Sequence, residues 1–452
     1  EIKRNLVTNL GNVEGTADEY PYVTFTAAAE QTFKISRISS LECSVGGATW
    51  QSVKADTEVK FGGSKGSLRL RGKNEQGTYY NRSSSTISFT DKNVEVSCKG
   101  DIRTLIDWEN YADANTGSAR FSSLFYYCPV LTSAPNLPSE KLSANCYTSM
   151  FEGCSKLTSA PALPAKELTE ECYKSMFSGC SALTKAPDLP AENVPASAYT
   201  YMFNICSSLE EMPLISAITV EEYGMAGMFE GCSNLSKVQD LCVETFTGKN
   251  NCARMFMNCT SLTTSPKLPA TNLTDQCYFA MFANCSNLSS APTLNAAEVP
   301  NYCYQQMFFG CTSLKNAPAL PATTVGPYCY QQMFWGCTGM ESGPESLPAT
   351  KLSEFCYQNM FRKCTSLTKA PKLMAEDMAQ DCCAYMFKEC SKLDEVTLCV
   401  KDFDTGLNSF TDWLAGTAQT GTVHIRSGLS ETTKAAIYRP NDNWTFAEDV
   451  TD

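Results

Sequence analysis

Eleven cysteines recur at a nearly fixed interval: Cys128, Cys154, Cys180, Cys206, Cys232, Cys259, Cys285, Cys311, Cys337, Cys364 and Cys390, spaced 26 residues apart eight times and 27 twice. A self-similar period of this length marks a chain of stacked supersecondary units, because one such unit is too small to bury its own apolar face and must cover that of the next. The rest of the unit keeps the same register. Met-Phe stands before the cysteine in ten units, from Met150-Phe151 to Met386-Phe387, and an apolar residue follows, as at Leu157, Leu183, Leu209, Leu262 and Leu288. A second column lies eight residues upstream at Cys146, Cys172, Cys277, Cys303, Cys329, Cys356 and Cys382.

Spacing suggests the local structure. In "CYTSMFEGC", Cys146, Tyr147, Met150, Phe151 and Cys154 fall at i, i+1, i+4, i+5 and i+8, the stripe of a short amphipathic helix. Ser143, Thr169, Thr274 and Ser353, or Pro195, Pro300 and Pro327, stand where such a helix starts. Gly153, Gly179, Gly231, Asn258, Asn284, Gly310 and Gly336 stand where a left-handed residue would end it. The following "LTSAPALPA" reads as extended. Pro161 and its counterparts Pro135, Pro187, Pro266, Pro292, Pro318 and Pro371 each remove a backbone donor, so the parallel strands must be very short. The expected fold is an α/β solenoid of 26-residue units, short helices on one side and short parallel strands at ~4.8 Å spacing on the other.

The flanks differ from the array. In 1–100, "YPYVTFTA", "TEVKF", "SLRLRG", "STISFT" and "VEVSC" alternate apolar with polar residues between Gly, Ser and Asn clusters, which predicts a small, sandwich-like antiparallel β domain that covers one end of the solenoid. Cys43 and Cys98 within it invite a disulfide. Residues 101–398 form the solenoid with its lead-in. Residues 399–452, with Trp413 and Trp444, form a C-terminal cap.

The register of the unit, a Leu, an extended segment ending in Leu-Pro, an apolar residue such as Leu168, then Phe177, Cys180 and Leu183, resembles the BspA-like leucine-rich repeat surface proteins of gut and oral bacteria. The resemblance covers about residues 121–398. This unit is a few residues longer than the usual form and has Pro where a β-branched strand residue is expected. The resemblance implies secretion to the cell surface and adhesion to host proteins or other cells.

Charge and cysteine chemistry narrow the functions further. With 36 Lys and Arg against 48 Asp and Glu, the net charge is −12, so the basic stripe that nucleic-acid binding needs is absent. No run of eighteen apolar residues occurs, so no segment is expected to span a bilayer. Residue 1 is Glu, which reads as a chain whose targeting segment, with a lipid anchor as one means of attachment, has been removed. Column thiols all point the same way into a core, so they are expected to be free and buried, with sulfur bonding to backbone groups of the adjoining turn. Zinc is not expected: adjacent Cys382-Cys383 is not a C-x-x-C pair. "GGSKG" around Ser64 lies between two strands, and the single histidine, His424, sits in the C-terminal cap, so a Ser-His triad is not expected. Asp402 to Asn408 and Asp113 to Gly117 have the oxygen-rich character of calcium loops but lack the full ligand set; Asx turns are the plainer reading. No cofactor, metal or catalytic site is expected.

The repeats can be compared with one another. After Met-Phe come Glu152, Ser178, Asn204, Glu230, Met257, Ala283, Phe309, Trp335, Arg362 and Lys388, a mostly water-facing row in which Phe309 and Trp335 are anomalous neighbours. They are the candidate ligand-binding residues. The leading expectation is a non-enzymatic surface adhesion or interaction protein that meets a host or cell-surface protein. A surface glycan-binding protein is the alternative, and a hydrolase with a site in the β domain is a third reading.

Overall fold

The computed structural model describes residues 21–37, 40–80, 83–114, 116–117 and 120–451. The N-terminal strands are β1 (Val23–Thr26), β2 (Gln31–Ile35), β3 (Leu41–Val45), β4 (Gln51–Ser52), β5 (Val59–Phe61), β6 (Leu68–Gly72), β7 (Tyr79–Tyr80), β8 (Ser83–Ser84), β9 (Ile87–Phe89) and β10 (Val96–Lys99). They pair antiparallel, with β10, β1, β6, β3 and β4 side by side in one sheet and β5, β2 and β9 in another. Alternation sends Phe25, Phe33, Phe61 and Phe89 into the core between them. The expected antiparallel β region is present. The Cys43–Cys98 disulfide that the sequence left open does not form: β1 and β6 separate Cys98 on β10 from Cys43 on β3, and both thiols are free. Three strand steps are ~14 Å, beyond the reach of a disulfide.

The array continues this first sheet. β11 (Leu131–Ser133) pairs parallel with β10, and Phe25 of the N-terminal core packs on Phe125 with ring centroids 6.2 Å apart. Phe125 heads a column of rings, one per coil, through Phe151, Phe177, Phe203, Phe229, Phe256, Phe282, Phe308, Phe334, Phe361 and Phe387; Phe256 and Phe282, for example, stack at 5.6 Å and 3°. Trp413 closes the column at 5.9 Å from Phe387. The apolar face that no coil can shield alone is thus covered from both ends and continuous between them.

The expected helices do not form. Among the described residues the one α-helix is α1 (Glu431–Ala436), beyond the array. Each Met-Phe segment is instead a chain of overlapping turns with a period of four. Cys146, Thr148, Met150, Glu152 and Cys154 donate their N–H groups to the carbonyl three residues back, while the alternate N–H groups of Tyr147, Ser149, Phe151 and Gly153 donate to Cys172, Lys174, Met176 and Ser178 in the next coil. Every fourth residue is left-handed: Asn145 at φ 61°, Ser149 at 52° and Gly153 at 75°, then Glu171, Ser175 and Gly179, and so on to Asn408, Asp412 and Gly416. Apolar doublets spaced by four keep facing inward in this geometry, whereas a 3.6-residue helix would rotate them ~40° per step. Non-glycine left-handed residues cost about 1–2 kcal/mol each, offset here by a hydrogen-bond ladder between coils that a helix cannot make. The left-handed conformation expected at Gly153, Gly179 and their counterparts is present; a helix for it to end is not. The array is therefore a β-solenoid with little helix.

A lateral row of strands forms only where its inward residue is β-branched or aromatic. β12 (Asn193–Val194), β13 (Thr219–Val220) and β14 (Thr245–Phe246) make one parallel ladder, and β15 (Glu298–Val299) and β16 (Thr324–Val325) another. Where Leu168, Leu352 or Met378 takes that place, only the isolated bridges Lys141↔Glu167 and Lys351↔Asp377 occur. At Leu273 there is no pairing at all. Val and Phe fit the pleat better than Leu. On the proline-bearing side β17 (Ser346–Leu347) pairs with β18 (Lys372–Leu373), and the strands are as short as the prolines demand.

At the C-terminal end of the array, β19 (Glu395–Thr397), which precedes the last turn ribbon, pairs with β20 (Gly421–Arg426), and β20 with β21 (Trp444–Val450), in a parallel sheet. The indole N–H groups of Trp413 and Trp444 donate to the carbonyls of Tyr438 and Ala418, at 2.7 and 2.8 Å, so both rings are buried without an orphaned donor.

Candidate binding surface

Each four-residue step of the turn ribbon buries two side chains and turns two outward. Single large apolar side chains stand outward at several coils, among them Tyr127, Ile205 and Tyr223, but in the three coils that carry Cys311, Cys337 and Cys364 aromatic and amide side chains stack in register from coil to coil. There Tyr302, Tyr328 and Phe355 stack at 4.7 Å with tilts of 8° and 14°. Beside them, Gln305 donates to Gln331 and Gln331 to Gln358, the latter at 2.6 Å. A second amide row joins Gln306 to Gln332 at 2.6 Å. Phe309 and Trp335 complete the strip with centroids 5.8 Å apart and a 50° tilt.

The two residues expected from the sequence are thus neighbours on the outer surface, half-buried rather than fully exposed. Arg362, in the next coil, lies 4.7 Å over the Trp335 ring and also pairs with Glu389 at 3.1 Å. One indole face is therefore occupied by a cation. The Tyr302, Tyr328 and Phe355 row was not expected. Its signal lies in "NYCY", "PYCY" and "EFCY", where an aromatic precedes the buried cysteine, but the helical reading places that residue at the margin of the core stripe.

The thiol column has a specific partner. Sγ of Cys154, Cys180, Cys206, Cys232, Cys259, Cys285, Cys311, Cys337, Cys364 and Cys390 each lies 3.0 to 3.2 Å from the carbonyl oxygen of the Phe in the preceding coil. None of the 24 cysteines is in a disulfide and only Cys242 is exposed. Burial pushes Cys180, Cys232 and Cys337 up to about 12, away from the thiolate form that nucleophilic or metal chemistry uses.

The structure does not bring Ser64 and His424 together. Ser64 lies in a tight turn between β5 and β6. His424 on β20 faces Asp449 through Nδ1 at 2.9 Å and Glu395 through Nε2 at 3.3 Å, so carboxylates meet both ring nitrogens. In the Asp402 to Asn408 loop, Asp404 accepts from the Gly406 N–H at 2.9 Å, an Asx turn, while Asp402 accepts from the distant Ser430 N–H, also at 2.9 Å. The Asp113 to Gly117 loop includes Asn115, which lies outside the described residues. No cluster of three or more His, Cys, Asp or Glu suited to a metal occurs among the described residues.

A second outward cluster lies on the N-terminal sheet. Arg71 on β6 is sandwiched between Trp50 at 4.1 Å and Trp108 at 3.7 Å, and its Nε binds Glu42 at 2.8 Å. Tyr22 extends this stack toward Arg69. Residues spaced this irregularly left no sequence signal.

A family model described as the BspA type leucine-rich repeat region matches in six copies, over residues 121–263, 225–341 and 304–413. No match is found among curated proteins or among solved structures. No helix among the described residues is long and apolar enough to cross a membrane. The matched regions join without a gap across more than half of the chain and coincide with the stacked coils, so the chain belongs to the BspA-type leucine-rich repeat family.

Proposed function

We propose that the chain is a non-enzymatic interaction protein of the cell surface that meets a host or cell-surface protein through the outward rows of the coils of Cys311, Cys337 and Cys364. The observation that carries this reading is the alignment of one aromatic and one glutamine row across three consecutive coils, with a second aromatic and a second glutamine row across two of them. Aromatic rings with amides beside them supply the apolar area and the hydrogen bonds that protein interfaces combine. Ring orientation favours a protein over a sugar at this strip. Rings stacked at 4.7 Å use up each other's faces and turn their edges outward, whereas sugars stack on open ring faces. Family membership supports placement at the cell surface, with a lipid anchor as one means of attachment.

The test is the double variant Phe309→Ala with Trp335→Ala, compared with the parent in thermal melting and in binding to an array of host proteins and polysaccharides. Lost capture of a protein with nearly unchanged melting supports the interface. Capture that is undiminished excludes these rows, and selective loss of polysaccharide capture would favour the glycan reading.

A further inference from the structure

The lateral row is interrupted at several coils, and at the coil of Leu273 it is unpaired on both sides. β14 and β15 flank the segment Thr271–Leu273, and among the described residues no backbone hydrogen bond joins Thr271, Asn272 or Leu273 to either neighbouring coil. Two sequence features account for the break. Leu273 stands where Val220, Val299 and Val325 form strands, and Pro300 brings no N–H to the position from which Gly326 of the following coil donates to Val299 at 2.8 Å. A groove of about 690 Å³ opens there, spanning three coils. Its floor is apolar, from Leu273, Val299, Pro300 and Val325, and its rim carries Asn272, Asn295, Glu298 and the hydroxyls of Thr271 and Thr324.

We infer that this groove is a binding site for a neutral oligosaccharide of two to four residues. The volume falls within the ~300–1,000 Å³ common for small-ligand sites. Exposed amide and carboxylate side chains beside an apolar floor suit the paired donors and acceptors of sugar hydroxyls and the C–H face between them. The unbridged backbone of Thr271–Leu273 adds polar groups with no backbone partner in a neighbouring coil, and a hydroxyl-rich ligand can bond such groups directly or through water. Glu298 within the groove and Asp275 nearby, which accepts from the Asn301 N–H at 3.1 Å, disfavour an anionic sugar. An extended peptide is disfavoured for a different reason. Strand addition needs alternating donors along an edge, and Pro300 interrupts that edge.

This site is separate from the aromatic rows, so each proposal stands or falls by itself. Isothermal titration would use malto-, cello-, xylo- and galacto-tetraose as neutral probes, oligogalacturonate as the anionic probe and a set of extended heptapeptides. A neutral tetrasaccharide is expected to bind, at least tenfold more weakly to Asn272→Ala with Asn295→Ala and to Glu298→Ala, with melting unchanged because all three side chains are exposed. Phe309→Ala with Trp335→Ala should leave this binding within twofold. Leu273→Val with Pro300→Gly, which restores the β-branched residue and the missing N–H, should close the groove and abolish binding while raising the melting temperature. Failure of every neutral probe, binding of the anionic or peptide probes alone, or binding indifferent to Asn272 and Asn295 would each overturn the assignment.

Discussion

The thiol of Cys180 lies 3.2 Å from the carbonyl oxygen of Phe151 in the preceding coil, and that same oxygen accepts the N–H of Cys154 at 3.1 Å. One carbonyl is therefore shared between its own turn and the next coil's side chain. Cysteine suits this place because it packs as a small apolar group yet retains a weak donor.

Replacing Cys180 by Ala removes the donor together with the volume of the sulfur. The Phe151 carbonyl retains its bond from Cys154, so no orphan is left, and the expected loss is about 1–3 kcal/mol from the lost bond and the small cavity together. Urea denaturation checks this; a loss several times larger would mean that the sulfur also fixes coil spacing.

Thiol accessibility follows from burial. A maleimide at neutral pH should label native protein at Cys242 alone, whereas the unfolded chain should expose all 24 thiols. Rapid native labelling at Cys311 or Cys337 would show that the coils separate readily.

Stability should fall in alkali. Burial raises Cys146, Cys172, Cys180, Cys232, Cys285 and Cys337 from 9.0 to about 12. The folded chain then holds protons that the unfolded chain releases. The contribution is fully present below the unfolded value near 9 and is lost as pH rises toward 12, at about 1.4 kcal/mol per pH unit for each thiol. Denaturant midpoints at pH 7.5, 9 and 10.5 should show little change over the first interval and a steep drop over the second. A flat profile contradicts the thiol linkage.

Gly227 tests the four-residue period. Its φ is +59°, and a Cβ there would lie 2.2 Å from the Tyr201 ring of the preceding coil. Gly227→Ala should destabilise by at least ~1 kcal/mol through backbone strain and crowding together. Adding Tyr201→Gln, the residue type at Gln306 and Gln332 in the same left-handed row, should recover the steric part alone. Full additivity in the double-mutant cycle would show that the two coils do not touch there.

Much of the fold is legible in the chain. The Cys and Met-Phe columns give the period, the Pro column gives very short strands, and the alternating segments before residue 100 give an antiparallel β region. Phe309 and Trp335 stand out by comparison with their own repeats, and they are neighbours in space. The helices were misread for a definable reason. Across nine residues such as Cys146 to Cys154, doublets spaced by four match a helical stripe as well as they match a turn ribbon, and only much longer segments would separate the two periods.

What the sequence by itself determined is which residues repeat, which side chains must be buried and that burial requires stacking, because these follow from period and polarity alone. Tertiary structure decided how the backbone between buried positions satisfies its polar groups. Alternate N–H groups find partners only in the next coil, and that choice selects left-handed residues over helix. The same dependence on a neighbour opens the groove at Leu273 and Pro300 and aligns Tyr302, Tyr328 and Phe355. A residue's counterpart one coil away lies 26 or 27 positions along the chain, and local propensity does not register whether the neighbouring coil brings a donor, a ring or a proline.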